Sequence, residues 1–281
     1  MGFGTRLAMP VSKRYAYTQI MVKKRTETSK AAKAGNESDA SKSLKPSQSK
    51  QKKTKPIKEP AAPKGKGKAA KTKVTAANPL QAATPAAKAY SYCDYIRDDD
   101  TPGAIANKVY HDTAYGFPIR GSDDELFGRL VLEINQAGLS WTTILLKQEN
   151  FRAAYSNFSV SAVAAYKEAD VNRLLNDAGI IRNRMKIDAA IHNANVVREM
   201  QRDPTVGSFE VWLNGKGKAC GGAKDAWVKA FKAQGFRFVG GEIVNEFLLS
   251  SGYLKGAHKV SCPVFAQIEK LKPYWANENI S

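Results

Sequence analysis

The chain has 281 residues, 43% of them hydrophobic, and a formal net charge of +18. No apolar run reaches the length of a bilayer-spanning helix, so no membrane role is expected. Its three cysteines make no disulfide framework, which excludes a stapled secreted fold and suits a reducing compartment.

The charge is one-sided. Residues 1–88 carry 21 of the 44 Lys and Arg and 4 of the 26 Asp and Glu, leaving 23 and 22 to residues 89–281. Between Tyr17 and Tyr90 there is no aromatic residue. A stretch rich in Lys, Ala, Ser and Pro buries too little apolar surface to offset its ordering entropy. The expectation is a disordered basic arm over 1–88 that holds polyanions by counterion release, with a solvated linker as the plainer alternative. Lys52-Lys53-Thr54-Lys55 fits a nuclear-import signal. The acid-free residues 1–26 also fit a transit peptide. The nucleus is the expected compartment, and a mitochondrion or other organelle the alternative.

Residues 89–281 suffice for one domain with a real core. Asp123-Asp124 precede Leu126, Phe127, Leu130, Val131 and Ile134, a helical spacing with an acidic start that Gly138 breaks. Ser140 caps a second helix carrying Ile144, Leu145 and Gln148. Short helices are expected from Ser161 and around Val171, Leu174 and Leu175, stopping near Ala178-Gly179. A long one runs from about Arg182 to Met200, with Ile187, Ala190, Ile191, Ala194 and Val197 at three- and four-residue steps. Two more cover Asp225 to Lys232 and Glu242 to Leu249, ended by Gly235 and Gly252. Phe236-Arg237-Phe238-Val239 is the best strand signal, and Gly215 to Gly222 reads as a Gly-rich loop holding Cys220. The domain is expected to be all-α, a set of orthogonal helices.

Three features carry chemistry. Cys93, His111, His258 and Cys262 offer two sulfurs and two imidazoles, a set that suits tetrahedral zinc, and the H-x-x-x-C pair can lie on one helical turn. A zinc there would tie the start of the domain to its end. Next, Gly179 makes a tight turn before Arg182, Arg184 and Lys186. Outward amides and three cations would grip one phosphate backbone without reading sequence; a plain helix–helix turn is the alternative. Finally, Glu133 shares the apolar face of Leu126 and Leu130, where a carboxylate is costly unless paired. It is either a structural ion pair or the floor of a pocket shared with Trp141 and Tyr110.

In chain order, Tyr110-His111-Asp112, Leu132-Glu133-Ile134-Asn135-Gln136-Ala137-Gly138-Leu139-Ser140-Trp141, Asp177-Ala178-Gly179-Ile180-Ile181-Arg182-Asn183-Arg184, Gly235-Phe236-Arg237-Phe238-Val239-Gly240 and His258-x-x-x-Cys262 resemble the DNA-3-methyladenine glycosylase I family. The resemblance covers about residues 91–265. It implies a helix-hairpin-helix glycosylase that hydrolyses the N-glycosidic bond of N3-methyladenine flipped out of duplex DNA, in base-excision repair. It implies a structural zinc on Cys93, His111, His258 and Cys262. It makes Glu133 the base-recognising carboxylate, Trp141 and Tyr110 the stacking and lining aromatics, and Leu139 the wedge that enters the DNA. A monomer acting on alkylated double-stranded DNA is expected. The sequence departs from the family at Tyr95, an expected base-binding position where the family carries Trp; at Ala114-Tyr115-Gly116, in place of the family's Glu-Trp-Gly; and at Asn107, in place of a second pocket tyrosine. Asp98 to Ala106 reads as an insertion. These departures leave a catalytically inactive DNA-binding member of the same fold as the alternative.

Overall fold

The computed structural model describes residues 91–276, and the basic arm, with its expected disorder, lies outside them. Among the described residues every regular element is helical. In chain order these are α1 (Tyr92–Tyr95), α2 (Pro102–Thr113), α3 (Asp123–Gln136), α4 (Trp141–Leu146), α5 (Gln148–Ala154), α6 (Val160–Ala164), α7 (Glu168–Asn176), α8 (Arg184–Arg202), α9 (Phe209–Cys220), α10 (Lys224–Ala233), α11 (Gly241–Ser250) and α12 (Pro263–Lys270), with 3₁₀ turns at Ser156–Phe158 and Tyr274–Ala276.

The fold is built around α3. Ser122 accepts the Glu125 N–H, and Asp123, Asp124 and Glu125 place negative charge on the first turn, where the helix dipole is positive. The Asp123 carboxylate also takes the Phe209 and Glu210 amides, each at 3.0 Å, so the start of α3 caps the start of α9. Leu126, Phe127, Leu130, Val131 and Ile134 are wholly buried. A helix covered on every side explains why Arg129, Glu133 and Asn135 are buried with them. Packed on α3 are α8 and α11. The Asn183 side chain caps α8 by accepting the Lys186 N–H. Ile187, Ala190, Ala194 and Val197 face the core with no exposure.

Five expectations about local structure need correction. Residues 236–239 form no strand. Buried Asn193 accepts the Arg237 N–H at 2.8 Å and donates to the Arg237 carbonyl at 3.0 Å, so that peptide is satisfied by a side chain rather than a ladder. Residues 215–220 are helical, the last two turns of α9, because the glycines there sit in a helix anchored by Phe209, Trp212 and Leu213. The helix from Ser140 breaks at Lys147, giving α4 and α5. The helix after Gly179 begins only at Arg184, leaving Arg182 in the turn. His258 and Cys262 do not share a helical turn: His258 lies in a loop and Cys262 is the N-cap of α12.

Two glycines set the chain path around the cavity and the Cys and His residues. Gly138 turns the chain out of α3 at φ +81°, a left-handed geometry that a side chain strains. Gly116 has φ +78°, and a Cβ there would lie 2.7 Å from that of Ala257. It lets the segment after α2 lie against the C-terminal loop.

Candidate active site and metal centre

A cavity of about 370 Å³ opens beside α3, with Glu133 and Gln136 on that helix and Trp141 past the Gly138 turn. Tyr110 from α2, Tyr115 just after it, and Tyr92 and Tyr95 from α1 supply further walls, and Glu246 of α11 completes them. The Tyr110 ring centroid lies 5.1 Å from Trp141, 5.6 Å from Tyr115 and 5.9 Å from Tyr92. These tilted and edge contacts suit aromatic quadrupoles and hold the walls rigid. The indole N–H of Trp141 is buried and has no hydrogen-bond partner among the described residues.

Glu133 is buried at this cavity, and its Oε1 accepts from the Ser250 hydroxyl at 3.2 Å. Behind it, Arg129 donates to the Tyr110 hydroxyl at 2.6 Å. Burial pushes the Glu133 carboxyl up to about 8, with Arg129 opposing the shift and Glu246 adding to it. The carboxyl therefore changes charge near neutral pH, and a positive ligand would pull it toward the ionised form.

Next to the cavity, Cys93, His111, His258 and Cys262 place one ligand atom each within 4.8 Å of every other. The sulfur–nitrogen separations are 3.6 Å and 3.4 Å from Cys93 to His258 Nδ1 and His111 Nε2. From Cys262 to the same two atoms they are 3.6 Å and 3.7 Å. The far ring nitrogens are engaged as well: His111 Nδ1 lies 2.7 Å from an Asp112 carboxylate oxygen, and His258 Nε2 lies 2.8 Å from the Tyr115 carbonyl oxygen. Such outer partners fix which nitrogen faces a metal. Segments from opposite ends of the domain meet here, so a bound ion would close the fold on itself.

The hairpin differs from its expected form. The Gly179 N–H is donated to the Asp177 side chain at 2.7 Å instead of pointing outward. The Ala178 and Gly179 carbonyls take hydrogen bonds from Lys147 Nζ at 2.9 Å and 3.2 Å. Lys186 is not a surface cation. It is buried, and its ammonium donates to the Asn135 and Ala137 carbonyls at 2.8 Å and 2.7 Å, closing the C-terminal end of α3. Arg184 is exposed but holds Glu168 through two 2.8 Å bonds. Arg182 is exposed and makes no ion pair among the described residues. Leu139 is partly exposed on the turn beyond α3, its N–H bonded to the Gln136 carbonyl at 2.7 Å and its carbonyl to the Gln136 side chain at 2.9 Å.

The structure thus brings Glu133, Trp141, Tyr110 and Tyr95 to one cavity and the four Cys and His residues to one point. It does not bring Arg182, Arg184 and Lys186 together as one cationic row. Sequence reasoning missed Tyr92, Tyr115, Gln136 and Glu246 as cavity residues. The available signal for Glu246 was a carboxylate one turn before Ser250 on the otherwise apolar run Ile243-Val244 and Phe247-Leu248-Leu249.

Fold and site together define a class: helical domains with an acidic, aromatic-walled cavity. The methyladenine glycosylase family model matches residues 103–266, more than half of the chain, and the chain belongs to that family. It is 40% identical over 183 residues to DNA-3-methyladenine glycosylase 1 of Escherichia coli (strain K12), a match spanning 60% of this chain and 94% of that protein. A crystal structure of 3-methyladenine DNA glycosylase I, 34% identical, aligns with a TM-score of 0.54 over 60% of this chain and 97% of the other. The Staphylococcus aureus 3-methyladenine DNA glycosylase I, solved to explain its recognition of 3-methyladenine, is 28% identical with a TM-score of 0.53, covering 60% of this chain and 93% of that one.

Proposed function

We propose that this chain is a monofunctional DNA glycosylase that releases N3-methyladenine from alkylated double-stranded DNA in base-excision repair. One observation carries the reading: Glu133 lies buried at an aromatic cavity of base-accommodating size. Methylation at N3 makes the purine cationic and weakens its glycosidic bond. The base departs as a neutral molecule, so no group need protonate it. Water attacks the sugar carbon as the carbon–nitrogen bond breaks, the bonding pair returns to the base, and the attacking water loses one proton to solvent. The protein's task is to hold the extruded nucleotide and to prefer the charged base over adenine. Trp141 stacks on the cation with a gain of roughly 0.5–2 kcal/mol. Glu133 accepts from the exocyclic amine and complements the charge where water is excluded.

The Cys and His cluster is proposed to hold zinc. With Zn–S near 2.3 Å and Zn–N near 2.0–2.1 Å, tetrahedral angles require sulfur–nitrogen separations of about 3.6 Å. The four observed values of 3.4–3.7 Å fit. Zinc held by four protein ligands has no place for water and acts as a clasp. Around Gly179 we infer a helix-hairpin-helix contact to one DNA strand, with Arg182 as its free cation and Leu139 as the wedge at the extruded base. The protein acts as a monomer, in the nucleus, with residues 1–88 adding non-specific affinity for DNA. Deleting them would flatten the salt dependence of binding.

The deciding measurement is release of free base from methylated duplex DNA. Wild-type protein releases N3-methyladenine, and Glu133→Gln slows release by roughly 10²–10³-fold with thermal melting preserved at acidic pH. Normal release by that variant removes Glu133 from the mechanism.

A further inference from the structure

Glu246 shares the cavity with Glu133, and no step of base release described for Glu133 and Trp141 uses it. Two connections tie it to that site. It stands one turn before Ser250, whose hydroxyl donates to Glu133, so α11 presents one acid to the cavity and braces the other. Its Oε2 accepts from the Tyr115 hydroxyl at 3.2 Å, while the Tyr115 carbonyl meets His258 Nε2 at 2.8 Å. Tyr115 is also the position where the resembled family carries Trp, and an indole has no hydroxyl. The phenol and the second acid form a hydrogen-bonded pair at the cavity wall.

The electrostatics of the two acids differ. Arg129 lies behind Glu133 and offsets its charge. Glu246 faces a neutral donor, Tyr115; on its own helix Glu242 opposes its ionisation, and Lys224, which favours it, is ion-paired with Glu242. Burial opposes ionising both acids at this one cavity, and a cation that enters it relieves that penalty. A neutral purine gives no such relief.

We infer that Glu246 is a second base-reading carboxylate, meeting the flipped purine on a different edge from Glu133 and making the preference for a cationic base depend on both acids. The inference rests on the glycosylase reading of the site. Each acid accepts one of the two hydrogens of the exocyclic amine, one on the N1 side and one on the N7 side, and together they complement the positive charge. Substrates are therefore purines that carry a fixed charge together with an exocyclic amine, and neutral lesions of the same shape are rejected.

The test is single-turnover release of N3-methyladenine from dimethyl-sulfate-treated duplex DNA by the full chain, measured across pH for wild type, Glu246→Gln, Tyr115→Phe and Glu133→Gln. Glu246→Gln is expected to lower the second-order rate constant roughly 10–100-fold, to remove one ionisation from the pH profile and to leave melting unchanged at acidic pH. Glu246→Asp restores part of the rate. Tyr115→Phe keeps the acid but moves its ionisation to higher pH, because the lost hydrogen bond favoured the charged form. Full release by Glu246→Gln, while Glu133→Gln fails, overturns the role of Glu246 and leaves the site standing. A slower Glu246→Gln with an unmoved pH profile assigns the residue to packing and overturns the inference as well. Full release by both variants removes both acids from base recognition, whereas no release by wild type removes the glycosylase reading itself.

Discussion

The Cys and His cluster and the cavity are neighbours built from the same segments, yet they treat their polar groups in opposite ways. In the cluster the ligand atoms converge and the far nitrogen of each imidazole has a partner, Asp112 or the Tyr115 carbonyl. Such a set would be completed by a bound ion, which would then serve stability. At the cavity two carboxyls share one lining, and the Trp141 N–H has no partner among the described residues. Burial opposes ionisation of both acids, and a positive ligand would ease it, so this region suits binding rather than fastening. Tyr115 belongs to both, its carbonyl to the cluster and its hydroxyl to the cavity.

The largest effect separating the two regions is expected from Cys262→Ser. It should abolish metal binding and cost several kcal/mol of stability, read by elemental analysis and calorimetric melting. A wild-type protein that purifies without metal and melts no lower after chelation breaks the comparison on the cluster side.

Glu133→Gln gives a smaller effect on stability, of opposite sign. The folded protein holds the Glu133 carboxyl near 8 against an ordinary value of 4.5. A raised carboxyl favours the folded state most below the ordinary value. That contribution fades as pH rises through 4.5 to 8. Wild type should therefore lose melting temperature over that window, and Glu133→Gln should lose less of it. Parallel melting curves for the two proteins, pH by pH, place Glu133 in an environment no different from water.

The mildest test concerns Trp141→Leu, which keeps an apolar wall but removes the π face. Release of N3-methyladenine should slow by roughly 2–30-fold, the equivalent of a cation–π contact worth about 0.5–2 kcal/mol. A neutral competitor such as adenine should bind with nearly unchanged affinity. Equal losses for the charged and neutral bases would reduce Trp141 to a packing surface.

Much of the fold and the site was legible along the chain. Apolar residues three and four apart placed α3, α8, α10 and α11, because helical periodicity is a local property that burial preserves. Scarce Cys and His named the four candidate ligands, and Glu133 stood out because an acid on an apolar face is costly. Phe236 to Val239 misled because their alternation suits a strand, whereas Asn193, more than forty residues earlier, satisfies the Arg237 peptide. Lys186 misled for a related reason. A cation near a turn reads as surface charge, but its long stem carries the ammonium inward to the end of α3.

By itself, then, the amino-acid order determined the helical class, the buried acid and the donor set, since each is declared by residue type and near-neighbour spacing. Which cations remain free, which aromatic rings wall the cavity, and the meeting of Glu246 with Tyr115 and Glu133 were decided by tertiary structure alone. Those are contacts between residues up to about 130 positions apart, and no local pattern encodes which distant side chains a folded backbone brings within hydrogen-bond reach.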